Sequence, residues 1–244
     1  MSLRLTLITT WRIIAQLRRD HRTLALVILL PALLMVLMRY VFDSKPLFER
    51  LAPTLLAIFP FIVMFLVTSV ATLRERRSGT LERLMTMPIA KLDLLLGYAV
   101  AFGLLAVIQV GVAASLCLFW LGLDVKGSLA LMFGIAVLDA VFGMALGLFV
   151  SAFARTEFQA VQFMPLFAGT QVLLCGLLVP RDHMAGVLAR ISDFLPLSYA
   201  VDALKLITTS AELSRDLIQD VGVVAACSLL ALAAGAATLR RRTA

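Results

Sequence analysis

Apolar residues along this chain do not alternate with polar ones. They gather into six long runs, at 24–42, 51–73, 94–121, 129–153, 158–179 and 221–239. Four of the runs contain no charged residue; Arg39 sits near the end of the first and Asp139 inside the fourth. A helix needs roughly 20 apolar residues to cross a bilayer. Only helices and closed barrels satisfy the backbone in lipid, and a barrel strand would alternate. The pattern therefore predicts an all-helical membrane domain with six spans. The third run, the longest, has to tilt or reach beyond the lipid.

Three polar stretches lie outside these runs. In residues 1–22, Leu3, Leu7, Trp11, Ile14 and Leu17 recur at helical spacing, with Arg4, Arg12 and Arg19 on another face. Such a segment reads as an amphipathic helix lying on the inner leaflet. The plainer alternative is a basic flank that orients the first span. It is not a secretory signal, because its basic stretch is long and a small-residue cleavage site is missing after the first apolar run. The loop at 74–92 is short and basic. Ser78 or Thr80 can cap a helix of about two turns, and Pro88 would end it. That helix presents Leu81, Leu84 and Met85 on one side and Glu82 and Arg83 on others. It would suit a groove on a soluble partner; alternatively the loop only sets topology. The stretch at 180–220 is half apolar. Met184, Val187, Leu188 and Ile191, then Tyr199, Ala203, Leu206 and Ile207, fall at helical spacing. It reads as short re-entrant helices dipping into the outer leaflet rather than a solvated loop.

Composition agrees with the runs. The 244 residues (26.6 kDa) are 61% hydrophobic and 15% charged, with a mean hydropathy of +1.00. So few charges cannot clothe a water-soluble enzyme, and disorder and disulfide-stapled modules are excluded. The net charge is +7 and the pI about 9.9. Its distribution is uneven. With six spans, the side holding both termini carries 14 Lys and Arg and a net charge of +9, whereas the other side nets −1. The positive-inside rule places both termini in the cytoplasm of a multi-pass plasma-membrane protein. The positive charge thus belongs to a membrane face and calls for no nucleic acid.

Little in the sequence points to chemistry. Cys117, Cys175 and Cys227 lie singly inside spans, without metal-ligand spacing. His21 and His183 are isolated, and no G-x-S-x-G nucleophile motif occurs. Asp139 is the acid in a span interior. It reads either as a pathway or proton-carrying residue, or as a structural hydrogen-bonding group. Gln109, Gln162 and Gln171 could partner it or line a polar path. Arg39 reads as snorkelling to the headgroups. Gly143-x-x-x-Gly147 permits close helix packing, although glycine is common in spans.

Two segments resemble a known family. Glu-Arg-Arg-Ser-Gly-Thr-Leu-Glu-Arg-Leu at 75–84 is similar to the coupling segment of ABC-2 type permeases, the membrane subunits of ATP-binding-cassette exporters. The following Leu94-Leu95-Leu96-Gly97 resembles the start of the family's third span, with Tyr98 where Lys is frequent. Pro196-Leu197-Ser198-Tyr199 resembles the segment before the family's last span, with Leu195 in place of a frequent Asn and Lys205 in place of a frequent Arg. The resemblance implies one membrane domain over 1–244. It implies coupling to an ATPase through Glu75, Arg76, Gly79, Thr80, Leu81, Glu82, Arg83, Leu84 and Met85. It implies an outer gate containing Pro180, Pro196, Ser198, Tyr199 and Asp202. Two ATPase subunits and a second permease subunit, identical or not, are the implied partners, with lipids around them. No G-x-x-x-x-G-K-[ST] sequence is present. ATP and Mg²⁺ then belong to the partner ATPase, and this chain has no cofactor and no catalytic residue of its own. The implied activity is export of an amphipathic drug-like or lipid-like substrate. A gradient-driven secondary transporter would want more intramembrane ionisable groups and an internal repeat. A membrane scaffold would not need a capped helix poised for a partner.

Overall fold

The computed structural model describes residues 3–80 and 91–238. Every regular element among them is helical. Helix α1 spans Leu3–Arg19, α2 His21–Phe42, α3 Lys45–Arg77, α4 Lys91–Phe119 and α5 Leu129–Val150. Helix α6 covers Glu157–Met164 and runs through a π turn, Pro165–Gly169, into α7, Thr170–Leu174. A 3₁₀ turn at Arg181–His183 precedes α8 (Gly186–Ser192), α9 (Pro196–Thr209) and α10 (Arg215–Thr238).

Among the described residues, α2, α3, α4, α5 and α10 are each long and apolar enough to cross a membrane. The fifth apolar run, expected as one span, is instead interrupted. Pro165 cannot donate the hydrogen bond that an α-helix requires, and the chain accommodates it with a π turn. Beyond Leu174 the helix stops, and Gly176 takes a left-handed conformation (φ 85°). Helix α3 also differs from expectation. It extends past the apolar run at both ends, so Arg74 to Arg77, expected in a loop, form its last turn.

Helix α3 is the axis of the bundle. Phe48, Leu56, Phe61, Met64 and Phe65 are fully buried along it. Helix α5 lies against α3 through the expected glycine pair. A methyl group added at Gly143 would lie 2.5 Å from the Phe61 carbonyl oxygen. One added at Gly147 would collide with the Phe65 carbonyl oxygen. The two backbones approach so closely that no side chain fits between them. The rings of Phe61 and Phe142 stack beside this contact, with centroids 5.6 Å apart. Helix α9 is buried as well, through Leu197, Ala200, Val201, Ala203, Leu204 and Ile207. The loop before α5 closes its end, where Lys126 N and Gly127 N donate to the carbonyls of Thr208 and Ile207. By contrast, α2 and α10 turn large apolar side chains outward, including Leu26, Leu33, Leu37, Leu229 and Leu230. In water such faces would be costly, whereas in lipid they are the ordinary surface.

Candidate functional sites

Helix α1 packs across the start of α4. Its protein-facing row is Thr6, Thr9, Thr10 and Ile13, all buried, while Leu3, Leu7, Ile8 and Trp11 face outward. Small residues are required there. A methyl group on Gly97 would lie 2.5 Å from Thr9 Cγ2, and the Thr10 hydroxyl donates to the Gly97 carbonyl at 3.3 Å. The hydroxyls of Thr9 and Thr10 are also satisfied by carbonyls four residues earlier.

Two bidentate ion pairs fix the end of α3 between its neighbours. Arg12 of α1 donates to both Glu75 carboxylate oxygens, at 3.1 and 3.2 Å, and to the Tyr98 hydroxyl of α4 at 3.4 Å. Arg74 donates to both oxygens of Glu157, at 2.9 Å each, and so ties α3 to α6. These hydrogen bonds hold the Glu157 carboxyl below its ordinary range. Helix α6 starts where it does because Thr156 accepts from Gln159 N while Gln159 Oε1 accepts from Arg155 N.

The residues expected to meet an ATPase divide here. Glu75 points into the protein, with 13% of its side chain exposed, and pairs with Arg12. Arg76 is half-buried, and its Nε has no hydrogen-bond partner among the described residues. Gly79 adopts φ 70° and ends α3, a conformation that glycine takes without strain. The hydroxyls of Ser78 and Thr80 lie 2.9 Å apart just beyond. Leu81, Glu82, Arg83, Leu84 and Met85 lie outside the described residues.

In the interior, Asp139 of α5 is fully buried and neither carboxylate oxygen has a hydrogen-bond partner among the described residues. None of the three glutamines bonds to it. Gln109 is fully buried with both amide atoms unpartnered, and Gln162 is exposed. Gln171 donates to the Phe167 carbonyl and accepts from Leu197 N, joining α7 to α9. Arg39 places its guanidinium 6.0 Å from the Phe48 ring centroid. Sequence reasoning passed over Thr68, Ser69 and Thr72, whose buried hydroxyls on α3 also have no hydrogen-bond partner among the described residues. The signal was present: Thr68, Ser69 and Thr72 cluster near the end of the run at 51–73, whose other hydroxyl residue is Thr54.

At the opposite end, the hub is Arg181, a residue not singled out from the sequence. It donates to Asp202 of α9 at 2.6 Å, and also to Asp193 after α8. Its guanidinium lies 5.7 Å from the Tyr199 ring centroid. Burial alone would lower its pKa; the two carboxylates outweigh that and raise it. Tyr199 donates to the Asp193 carbonyl at 2.6 Å. Ser198 meets Ser192 at 3.0 Å, and the Ser192 hydroxyl donates to the Leu174 carbonyl. Pro196 occupies the first turn of α9, where its missing N–H costs nothing. Pro180 borders a cavity of about 610 Å³ that Asp193, Asp202 and Lys205 also line. Pro180, Pro196, Ser198, Tyr199 and Asp202 thus converge on one end of the bundle.

The sequence model of the ABC-2 type transporter family matches residues 4–208. The chain is 25% identical over 190 residues to the probable multidrug ABC transporter permease YbhS of Escherichia coli, a match covering 75% of this chain and 49% of that protein. It is 28% identical over 155 residues to the probable multidrug ABC transporter permease YbhR of the same organism, covering 64% and 42%. It is 26% identical over 181 residues to the linearmycin resistance permease protein LnrN of Bacillus subtilis, covering 74% and 47%. The matched part of this chain spans about half or less of the length of these relatives. With a family match that takes in both ion-pair clamps, the glycine contact and nearly all of α9, the chain belongs to the ABC-2 type transporter family.

Proposed function

We propose that this chain is the membrane-spanning permease subunit of an ATP-driven exporter. Its substrate class is an amphipathic drug-like or lipid-like molecule, and a separate ATPase chain supplies the energy. The reading is carried by family membership over residues 4–208, together with relatives named as multidrug and antibiotic-resistance permeases. In this reading the interrupted fifth run completes six spans, and both termini face the cytoplasm of the plasma membrane.

The segment after Gly79 then serves as the coupling helix in a cleft of the ATPase. The end of α3 is gripped by α1 through Arg12–Glu75 and by α6 through Arg74–Glu157. A push on the coupling segment therefore moves several helices together rather than bending one loop. At the other end, the Arg181 hub holds α8 and α9 over the bundle and acts as the outer gate. Two permease subunits, identical or different, and two ATPase subunits make the working transporter. Only Asp93 and Asp139 are buried acids among the described residues, which gives a proton-driven carrier little to work with.

The test is co-purification with the ATPase, followed by ATP turnover measured against a panel of amphipathic compounds. Glu82→Ala and Gly79→Pro are expected to weaken docking or to leave hydrolysis running without transport. Normal transport by both variants would overturn the coupling assignment.

A further inference from the structure

Helix α1 uses only one of its two sides within this chain. Thr6, Thr9, Thr10 and Ile13 are buried, and their packing on α4 leaves no room for a methyl group at Gly97. On the far side Leu3, Leu7, Ile8 and Trp11 are exposed, and so are Arg4, Arg18 and Arg19. Successive residues of an α-helix turn by about 100°, which puts Arg4 and Arg18 within about 20° of Trp11 around the axis. They stand about 21 Å apart along it, one on either side of Leu7, Ile8 and Trp11. The outward face is thus apolar in its middle and cationic at both ends.

Nothing in the chain balances those ends. Helix α1 contains no acidic residue. Arg12 is engaged by Glu75, whereas Arg4, Arg18 and Arg19 have no ion-pair partner among the described residues. Asp20, just beyond the helix, already has Arg22 and Arg74 within its electrostatic reach. Three arginines remain uncompensated. The face also continues into α2, whose exposed Leu26, Leu29 and Leu33 form part of the lipid-facing surface. Whatever covers α1 therefore begins where lipid already is. Lipid meets both parts of the face at once, with acyl chains at the leucines and tryptophan and headgroups at the guanidinium ends. The sign of the charge then selects the headgroup. Choline and ethanolamine lipids neutralise their own phosphate, whereas an anionic lipid brings a charge that only the arginines balance.

We infer that the outward face of α1 binds the anionic phospholipid surface of the leaflet next to the start of α2. That attraction keeps α1 docked on α4. Swinging α1 off α4 into water would pull three guanidinium groups away from the headgroups. The lipid surface thereby supports the Arg12–Glu75 clamp from the opposite side of the same helix. The test needs neither ATP nor the ATPase, so it can fail while the permease reading stands.

The full chain is reconstituted in nanodiscs of phosphatidylcholine, with or without one part in three of phosphatidylglycerol. Trp120→Phe leaves Trp11 as the single tryptophan, and brominated lipid is expected to quench its fluorescence. In a chain with Cys117, Cys175 and Cys227 replaced by Ala, Ile13→Cys reports undocking through its reaction with a maleimide. Phosphatidylglycerol should slow that reaction about fivefold, the effect of one arginine at an anionic surface. Replacing Arg4, Arg18 and Arg19 together by Gln should abolish the slowing, and replacing them by Lys should retain it. High salt should weaken the slowing in the parent chain, a readout that stands even if the glutamine variant does not fold. Equal rates in the two nanodiscs, slowing undiminished by high salt, or slowing that persists in the glutamine variant would each overturn the assignment. Trp11 shielded from brominated lipid would also overturn it and would give this face to a protein partner.

Discussion

The Arg12–Glu75 pair makes the sharpest prediction, because its geometry bounds its energy. The two side chains are 25% and 13% exposed, and both guanidinium nitrogens that reach the carboxylate do so within 3.2 Å. An exposed ion pair contributes about 0.2–1 kcal/mol, and removing one partner of a fully buried pair costs about 3–5 kcal/mol. A pair in this intermediate setting, with an added hydrogen bond to Tyr98, should contribute about 1–3 kcal/mol to holding α1 on the bundle. That corresponds to roughly a 5- to 150-fold shift in the docking equilibrium of α1. Ile13 reports on this equilibrium, because it is 3% exposed when α1 is docked. In a background with Cys117, Cys175 and Cys227 replaced by Ala, Ile13→Cys should react with a maleimide slowly in the parent. The rate should rise by that factor on adding Glu75→Gln. A double-mutant cycle with Arg12→Gln separates the pair from general loosening: each single substitution should cost nearly as much as both together. If the two single effects simply add, to within about 0.3–0.5 kcal/mol, the two residues do not act as a pair and the clamp reasoning fails.

Two further predictions address other contacts. Gly143→Ala and Gly147→Ala each place a methyl group against an α3 carbonyl oxygen that cannot swing away, so α5 must move off α3. Each should cost about 1–3 kcal/mol and lower the melting temperature of the detergent-solubilised chain, while Gly134→Ala, with open space around it, should not. Equal melting temperatures for all three would show that the close approach carries no weight. The Arg74–Glu157 pair gives a pH signature. The Glu157 pKa is lowered in the folded chain, so its contribution is fully present above the ordinary value of 4.5 and is lost as pH falls through the lower folded value. Wild type should therefore exceed Glu157→Gln in stability at neutral pH, with the difference vanishing in acid. A gap that persists well below pH 4 would assign the effect to packing rather than to charge.

How far the sequence could be read follows from what hydropathy reports. Leu51 to Leu73 marks where α3 is apolar, and nothing in that run says that the helix continues to Arg77. The stop was nonetheless written locally, in Gly79, which takes the left-handed conformation that ends the helix. The run from Phe158 to Val179 looks continuous because Pro165 and Gly176 hardly change its mean hydropathy. Their backbone constraints break it all the same. The outward row of α1 was legible in part. Of the row Leu3, Leu7, Trp11, Ile14 and Leu17 expected on one face of α1, the first three face outward, whereas Ile14 and Leu17 are half-buried against the core. The inward row was not legible, because Thr6, Thr9 and Thr10 are chosen for smallness against Gly97 rather than for hydrophobicity. The same limit hid Arg12 and Arg181. Arg12 looks like one member of a basic helix face and Arg181 like a lone loop residue beside Asp182, and only the folded chain brings Glu75 and Tyr98 to one and Asp193 and Asp202 to the other. Charge counting along a membrane protein gives a side, because lipid and potential act on the sum. It does not give a role, because a role depends on which single carboxylate each arginine meets across helices far apart in sequence. In this chain the residues that hold its ends together are those whose partners lie 12 to 86 positions away.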